Sequence, residues 1–402
     1  MDTLIDRPSY LSWLRRWRDH DLIKVVTGVR RCGKSTLFQI FQNELRASGV
    51  PDDHIVNINL EDPTTAAITT DYLTFYQHVI DQLPPQGMTY VFVDEVQRLP
   101  EFEKAADGLH LRPQVDLYLT GSNANLLSSD LATLLSGRYV ELDLLPLSFA
   151  EFVSAHPTNL AKADLFQRYL DSGGFPYVTR LGDDTTAISE YLTGLINTIL
   201  IKDVAIRQKI SNASRLSRIV DYMADNIGNL TTLKKISDTL TSLGQKVSQP
   251  TVENYLRGLE DAYLLYPGPR FDIRGKRRLE VNQKYYLVDT GLRRALLGRS
   301  SPDTGRVLEN VVFLQLLRQA KSLYVGKLGS AEVDFVVEYA DRTEYVQVCQ
   351  TVTAPETLAR ELAPLQAIPD YYPRTLLTLD PGTFTHAGIN QFNIVDWLLN
   401  LG

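Results

Sequence analysis

The chain has 402 residues, 44% of them hydrophobic and 22% charged, with a net charge of −7. This supports soluble cores in about two to four domains and excludes a globally basic nucleic-acid binder, so any contact with nucleic acid must rest on a local patch. Cys32 and Cys349 are too few for a disulfide framework or a cysteine metal cluster, no apolar run nears the ~18 residues of a membrane span, and the first residues lack a signal-peptide pattern, so a cytoplasmic protein without a membrane partner is expected.

Residues 22–27 form an apolar run that predicts a strand, and residues 36–45 carry apolar positions at helical spacing. Between them, Gly28-Val-Arg-Arg-Cys-Gly-Lys-Ser35 fits G-x-x-x-x-G-K-[ST], the phosphate-binding P-loop, in the strand–loop–helix context it requires. The backbone of Gly28, Val29, Arg30, Arg31, Cys32, Gly33, Lys34, Ser35 and Thr36 is expected to make an anion nest at a helix N-terminus. Gly28 and Gly33 permit the tight path of such a loop. Lys34 is expected to reach the β- and γ-phosphates and the Ser35 hydroxyl to ligate Mg²⁺, which makes ATP and Mg²⁺ the expected cofactors.

Further strands are predicted at 54–60, 89–95, 115–120 and 139–143, with helices near 70–82, 100–109 and 124–136. The alternation predicts a parallel sheet covered on both faces, with ligands at the carboxyl ends of its strands. The third strand ends in Asp94-Glu95, a Walker B arrangement. Asp94 would hold Mg²⁺, and Glu95 would polarise the attacking water. The fourth strand ends in Leu119-Thr-Gly-Ser-Asn123. A polar side chain there would approach the γ-phosphate; Ser122 is the first choice and Asn123 the second, the other reading being a plain turn. Arg138 is the candidate arginine finger, acting on a neighbouring subunit's nucleotide, against the alternative of a solvated surface arginine.

These motifs resemble those of the AAA+ ATPases. Within that superfamily, the runs GVRRCGKST, VFVDEVQ and LTGSNANLLSS…SGRY…LLPLSFAEF, over residues 27–152, are most similar to a prokaryotic group of ATP-binding proteins. The resemblance implies an α/β fold with a P-loop core of sheet order 5-1-4-3-2 over 1–145 and a helical lid over 146–205. It also implies ATP hydrolysis at sites completed in trans, hence a homo-oligomer, with a hexamer as one form. Gly174 and Pro176, in Gly173-Gly-Phe-Pro-Tyr177, would pack on the adenine, as in STAND-type relatives; a helix-breaking turn is the other reading, and the two are compatible. No residue stands in for the sensor-2 lid arginine of other AAA+ members.

Over 206–300, helices predicted at 219–226, 231–240 and 248–261 are followed by strand-like 263–266 and 284–289, the order of a winged helix. The intervening hairpin holds Arg270, Arg274, Lys276, Arg277 and Arg278 with a single acid, a local stripe suited to nucleic-acid phosphates; the other reading is a solvated hairpin on a subunit-contact module. Over 301–402, a helix with Glu309, a stretch at 323–337 with Asp334 and a strand at 344–350 resemble the PD-(D/E)xK nuclease fold. Gln347 and Cys349 stand where a metal-binding carboxylate and the lysine would be, so an inactive nuclease-like domain is expected. The leading expectation is an ATPase that remodels or attaches to a macromolecule. The alternative is an ATP-gated nucleic-acid-binding switch with slow hydrolysis, and the third reading is an ATP-dependent nuclease.

Overall fold

The computed structural model describes residues 4–124, 135, 137–156, 160–210, 212–298 and 303–400. Most of the helix expected at 124–136 lies outside them. The chain divides into two units. One runs to Leu144 and takes in Asp261–Tyr263; the other holds Leu145–Glu260 and everything from Leu264 onward.

The first unit begins with α1 (Pro8–Trp17), then β1 (Ile23–Thr27), α2 (Lys34–Ala47), β2 (Ile55–Asn59), α3 (Tyr72–Ile80), β3 (Thr89–Asp94), α4 (Phe102–His110), β4 (Val115–Gly121) and β5 (Tyr139–Asp143). All five strands are parallel, in the order β2-β3-β4-β1-β5, which is the expected 5-1-4-3-2 arrangement. Every residue of β1 and β3 is buried, because a parallel sheet is covered on both faces and its strands need not alternate. On one face Val56, Ile58, Val91, Val93, Leu117 and Leu119 meet Phe75 and Val79 of α3 and Ala105, Ala106 and Leu109 of α4. On the other, Phe38 and Phe41 of α2 meet Phe92 and Tyr118, whose rings stack with centroids 4.7 Å apart. Lys24 interrupts β1 with a charge; its ammonium pairs with the buried Asp116 and donates to the His20 carbonyl at 2.7 Å, so neither of these two ions is left bare.

The second unit opens with α5 (Phe149–Ser154), set by a capping box between Ser148 and Glu151. It continues through α6 (Lys162–Ser172), α7 (Thr185–Thr198), a π-helical turn (Ile199–Ala205), α8 (Ala213–Asp225), α9 (Leu233–Ser242) and α10 (Gln249–Asp261). Then come β6 (Leu265–Asp272), β7 (Arg277–Leu287), α11 (Thr290–Leu297), α12 (Thr304–Leu317), β8 (Ser322–Leu328), β9 (Ala331–Glu338), β10 (Thr343–Val348), α13 (Pro355–Gln366), β11 (Arg374–Thr378), β12 (Phe384–His386), β13 (Ile389–Asn393) and α14 (Ile394–Asn400). The stretch 323–337 is two antiparallel strands rather than one, turning at Gly329, whose φ is +66°.

The eight strands form one sheet, β12-β13-β11-β10-β9-β8-β6-β7. The basic hairpin β6–β7 therefore belongs to the same sheet as the C-terminal strands. Arg270–Asp272 lie parallel to Val325–Lys327 of β8. The buried Asn310 of α12 ties the hairpin further, accepting from Leu287 N at 2.8 Å and donating to Leu287 O at 2.9 Å, while Phe313 stacks on Tyr286 with centroids 3.9 Å apart. Both expected divisions, at 205/206 and 300/301, fall inside the second unit: Gly174 N–H donating to Asp289 and the Thr290 hydroxyl donating to the Tyr169 carbonyl span the first, and the pairing of β6 with β8 and the bonds of α12 to β7 span the second. Among the described residues no helix is long and apolar enough to cross a membrane.

Candidate nucleotide site

The P-loop leaves β1 at Thr27 and re-enters helix at Lys34. Gly28 and Gly33 have φ of +139° and +109°, and Arg31 between them is also left-handed at +68°. A Cβ on Gly28 would lie 2.3 Å from the Leu144 carbonyl, so only glycine fits where the loop passes the end of β5. Arg7, which precedes α1 and is buried, steadies the loop by donating to the Cys32 carbonyl at 3.4 Å. Arg30 pairs with Glu61 at 3.1 Å. Cys32 is buried, and burial pushes its thiol up, so it packs the loop without being a nucleophile.

Lys34 is buried and donates to the carbonyls of Gly28 at 3.0 Å and Val29 at 3.3 Å, with Glu95 Oε1 3.8 Å away. The Ser35 hydroxyl donates to Asp94 Oδ2 at 2.5 Å. Thr120 on β4 donates its hydroxyl to the other Asp94 oxygen and receives the Glu95 N–H at 3.0 Å. Burial pushes the Asp94 carboxyl above the usual range, so a cation beside it would be favoured. Glu95 has a left-handed backbone, φ +56°, at the sharp exit from β3. Its Oε2 receives the Ser122 hydroxyl at 3.1 Å and the Gln97 amide at 2.5 Å.

Lys34, Ser35, Asp94, Glu95 and Ser122 thus converge at the carboxyl end of the parallel sheet. Between the two candidates after β4, the buried Ser122 touches Glu95, and Asn123 is half-buried one residue on. Arg138 is elsewhere. Its carbonyl receives Ile23 N at the amino end of β1, and its guanidinium pairs with Asp107 at 2.6 Å, so it does not join its own chain's P-loop. Gly174 and Pro176 belong to the second unit. There Gly174 N donates to the buried Asp289 at 2.6 Å, its carbonyl receives Leu147 N at 2.7 Å, and a Cβ would meet Leu147 O at 2.4 Å. Thr120, Gln97 and Arg7 were not singled out by the sequence. Thr120 reads as an ordinary β-branched strand residue, and only the D-E-V-Q run could have signalled Gln97.

In the second unit Arg274, Lys276, Arg277 and Arg278 are exposed around the β6–β7 turn, while Arg270 is half-buried. Arg278 lies over the Tyr324 ring at 5.0 Å. Glu309 and Asp334 do converge, but on an ammonium that the sequence did not flag. Lys284 of β7 places Nζ 2.8 Å from Glu309, 2.8 Å from Glu332 and 3.8 Å from Asp334. Burial works against that ammonium, but the charges of Glu309, Asp334 and Glu332 outweigh it and hold it above the ordinary lysine range. Asp334 also receives Val348 N–H at 2.9 Å; Gln347 is turned aside to donate to Glu361 at 3.0 Å, and the Cys349 thiol donates to the Thr351 carbonyl at 3.3 Å. No cluster of metal-ligating side chains open to an ion is present among the described residues.

Residues 20–153 match the family described as "AAA domain", and residues 163–303 match a domain of unknown function. A protein of Haemophilus influenzae described as uncharacterised is 38% identical over 98% of this chain and 99% of its own length. Another uncharacterised protein, from Methanocaldococcus jannaschii, is 31% identical over 81% of this chain and 74% of its own. Among solved structures, a Walker-type ATPase of Pyrococcus abyssi is similar in fold, with a TM-score of 0.52 and 17% identity over 73% of this chain and 95% of that one.

Proposed function

We propose that this chain, which belongs to the AAA-domain family, binds ATP with Mg²⁺ and hydrolyses it to drive the remodelling or holding of a macromolecular partner. The observation that carries this is the convergence of Lys34, Ser35, Asp94 and Glu95 at one end of the sheet. Ser35 and Asp94 offer hard oxygen donors, which suit Mg²⁺; the metal would neutralise phosphate charge there. Lys34 would trade loop carbonyls for β- and γ-phosphate oxygens, Glu95 would draw a proton from the attacking water, and Ser122 would hold Glu95 in register. Arg138 sits at the opposite end of β5 from its own P-loop, which favours a role toward a neighbouring subunit in a homo-oligomer. Glu95→Gln is expected to leave ATP affinity unchanged and to lower turnover by about a hundredfold or more. Wild-type turnover in that variant, measured by phosphate release, would remove Glu95 from the reaction, and no phosphate release by the wild-type protein would remove the ATPase reading.

The exposed cations of the β6–β7 turn favour a second reading, in which ATP gates attachment to nucleic acid. Replacing Arg274, Lys276, Arg277 and Arg278 together by serine is expected to weaken duplex or RNA binding. The slope of log affinity against log salt should flatten by roughly one unit for each phosphate no longer neutralised. Equal binding by both proteins at low ionic strength would end this reading. The Lys284 ammonium inside the Glu309–Glu332–Asp334 cluster supports a nuclease-like module that does not cleave.

A further inference from the structure

One polar atom at the candidate nucleotide site, the side-chain oxygen of Gln97, takes no part in the contacts among Lys34, Ser35, Asp94, Glu95 and Ser122. Gln97 lies on the short turn Val96–Arg98 that follows β3. Its Nε2 is 2.5 Å from Glu95 Oε2 and 3.3 Å from Ser122 Oγ. A carboxylate oxygen only accepts, so the amide nitrogen must face Glu95, which fixes the orientation of the whole amide. Gln97 Oε1 is thereby the end of the amide not bonded to Glu95; it is buried and meets no donor among the described residues. An acceptor left like this costs on the order of 1–3 kcal/mol unless something donates to it. It is held beside the Glu95 carboxylate, on a turn entered from Glu95, whose backbone is left-handed.

We propose that Gln97 is a water-positioning residue that shares the attacking water with Glu95, an inference that rests on the ATPase function proposed above. A water poised for in-line attack needs two acceptors. One takes the proton being lost; the other holds the second O–H so that a lone pair points at the phosphorus. Glu95 Oε2 is committed to Ser122 and Gln97, which leaves Oε1 for the first task and Gln97 Oε1 for the second. The water oxygen then forms its bond to the γ-phosphorus as the bond from that phosphorus to the bridging oxygen breaks. The electron pair of the broken bond leaves on ADP. The proton passes to Glu95 and from there to solvent, giving ADP and inorganic phosphate. Gln97 exchanges no proton.

The test uses the full chain and two readouts: ATP turnover with binding of a fluorescent ATP analogue, and retention of ADP with aluminium fluoride, which mimics the transition state. Gln97→Ala is expected to lower turnover by about a hundredfold, to leave analogue affinity unchanged, and to lose retention of the ADP–fluoride complex by a similar factor. Gln97→Glu keeps the length but puts a second carboxylate beside Glu95, so the acid limb of its pH–rate profile should move up by about one unit. That shift reports how close residue 97 lies to Glu95; the loss of ADP–fluoride retention at unchanged analogue affinity in Gln97→Ala reports the positioning of the water. Turnover and ADP–fluoride retention at wild-type levels in Gln97→Ala, with Glu95→Gln impaired, would overturn the role of Gln97 and leave the ATPase standing. Wild-type protein that neither binds the analogue nor releases phosphate would overturn both.

Discussion

Lys284→Met should lower the melting temperature of the second unit by roughly ten degrees. The ammonium is buried among the carboxylates of Glu309, Glu332 and Asp334, at 2.8, 2.8 and 3.8 Å. Removing it leaves the buried Asp334 and the half-buried Glu309 and Glu332 without a counter-charge, a change that typically costs about 3–5 kcal/mol where a buried pair is broken. In a unit of this size each kcal/mol moves the midpoint by about 2–4 °C. The ammonium is held above its ordinary range in the folded chain. Its contribution is therefore complete below the unfolded lysine value of ~10.5 and is lost only as pH rises through the higher folded value, so the full deficit should appear at neutral pH. Adding Glu309→Gln and Glu332→Gln to Lys284→Met should recover part of the loss, because the uncompensated acids go with it. A scanning-calorimetry midpoint within a degree or two of wild type would show that the cluster does not depend on this cation.

Lys34→Ala should reduce ATP affinity on the order of a hundredfold, because a buried cation that makes charge-assisted bonds to phosphate is worth several kcal/mol. The variant should keep its fold, since among the described residues Lys34 bonds to the Gly28 and Val29 carbonyls of its own loop and comes no nearer than 3.8 Å to Glu95. Thermal melts separate the two effects. ATP with Mg²⁺ should raise the midpoint of the wild-type first unit by mass action and leave that of Lys34→Ala where it was. An equal upward shift in both proteins would mean that the nucleotide binds elsewhere.

The first unit was legible because its signals are local. An all-apolar β1 runs into G-x-x-x-x-G-K-S and then into a helix with Leu37, Phe38, Phe41 and Leu45 on its inner side, so each segment declares its neighbour. Asp94 and Glu95 were readable for the same reason. Thr120 was not, because its hydroxyl matters only once β4 lies beside β3 and brings it to Asp94. Lys284 was hidden in the same way. In sequence it is a polar residue opening Lys-Tyr-Tyr-Leu; in the fold it meets Glu309 of α12 and Glu332 of β9, residues that nothing nearby in the chain announces. The hairpin reads as a wing in the sequence because three helices precede it, and the structure adds a second neighbour for it, β8. Its pairing with β8 links residues some fifty positions apart and leaves no periodic trace.

The shared sheet also bears on how this protein can be divided, in the laboratory or over its history. A cut at residues 299–302 looks convenient, and the match to a domain of unknown function ends close by, at 303. Such a cut would strip β8 from β6 and leave an exposed strand edge open to pairing with other chains. It would also strand Lys284 without Glu309, Glu332 and Asp334, and those acids without Lys284. Neither fragment could be exchanged for a homologous piece unless the replacement carried its half of the charge balance. The helices after α5 and the C-terminal strands are therefore bound to a common inheritance, and recombination between relatives is expected to preserve them as one block.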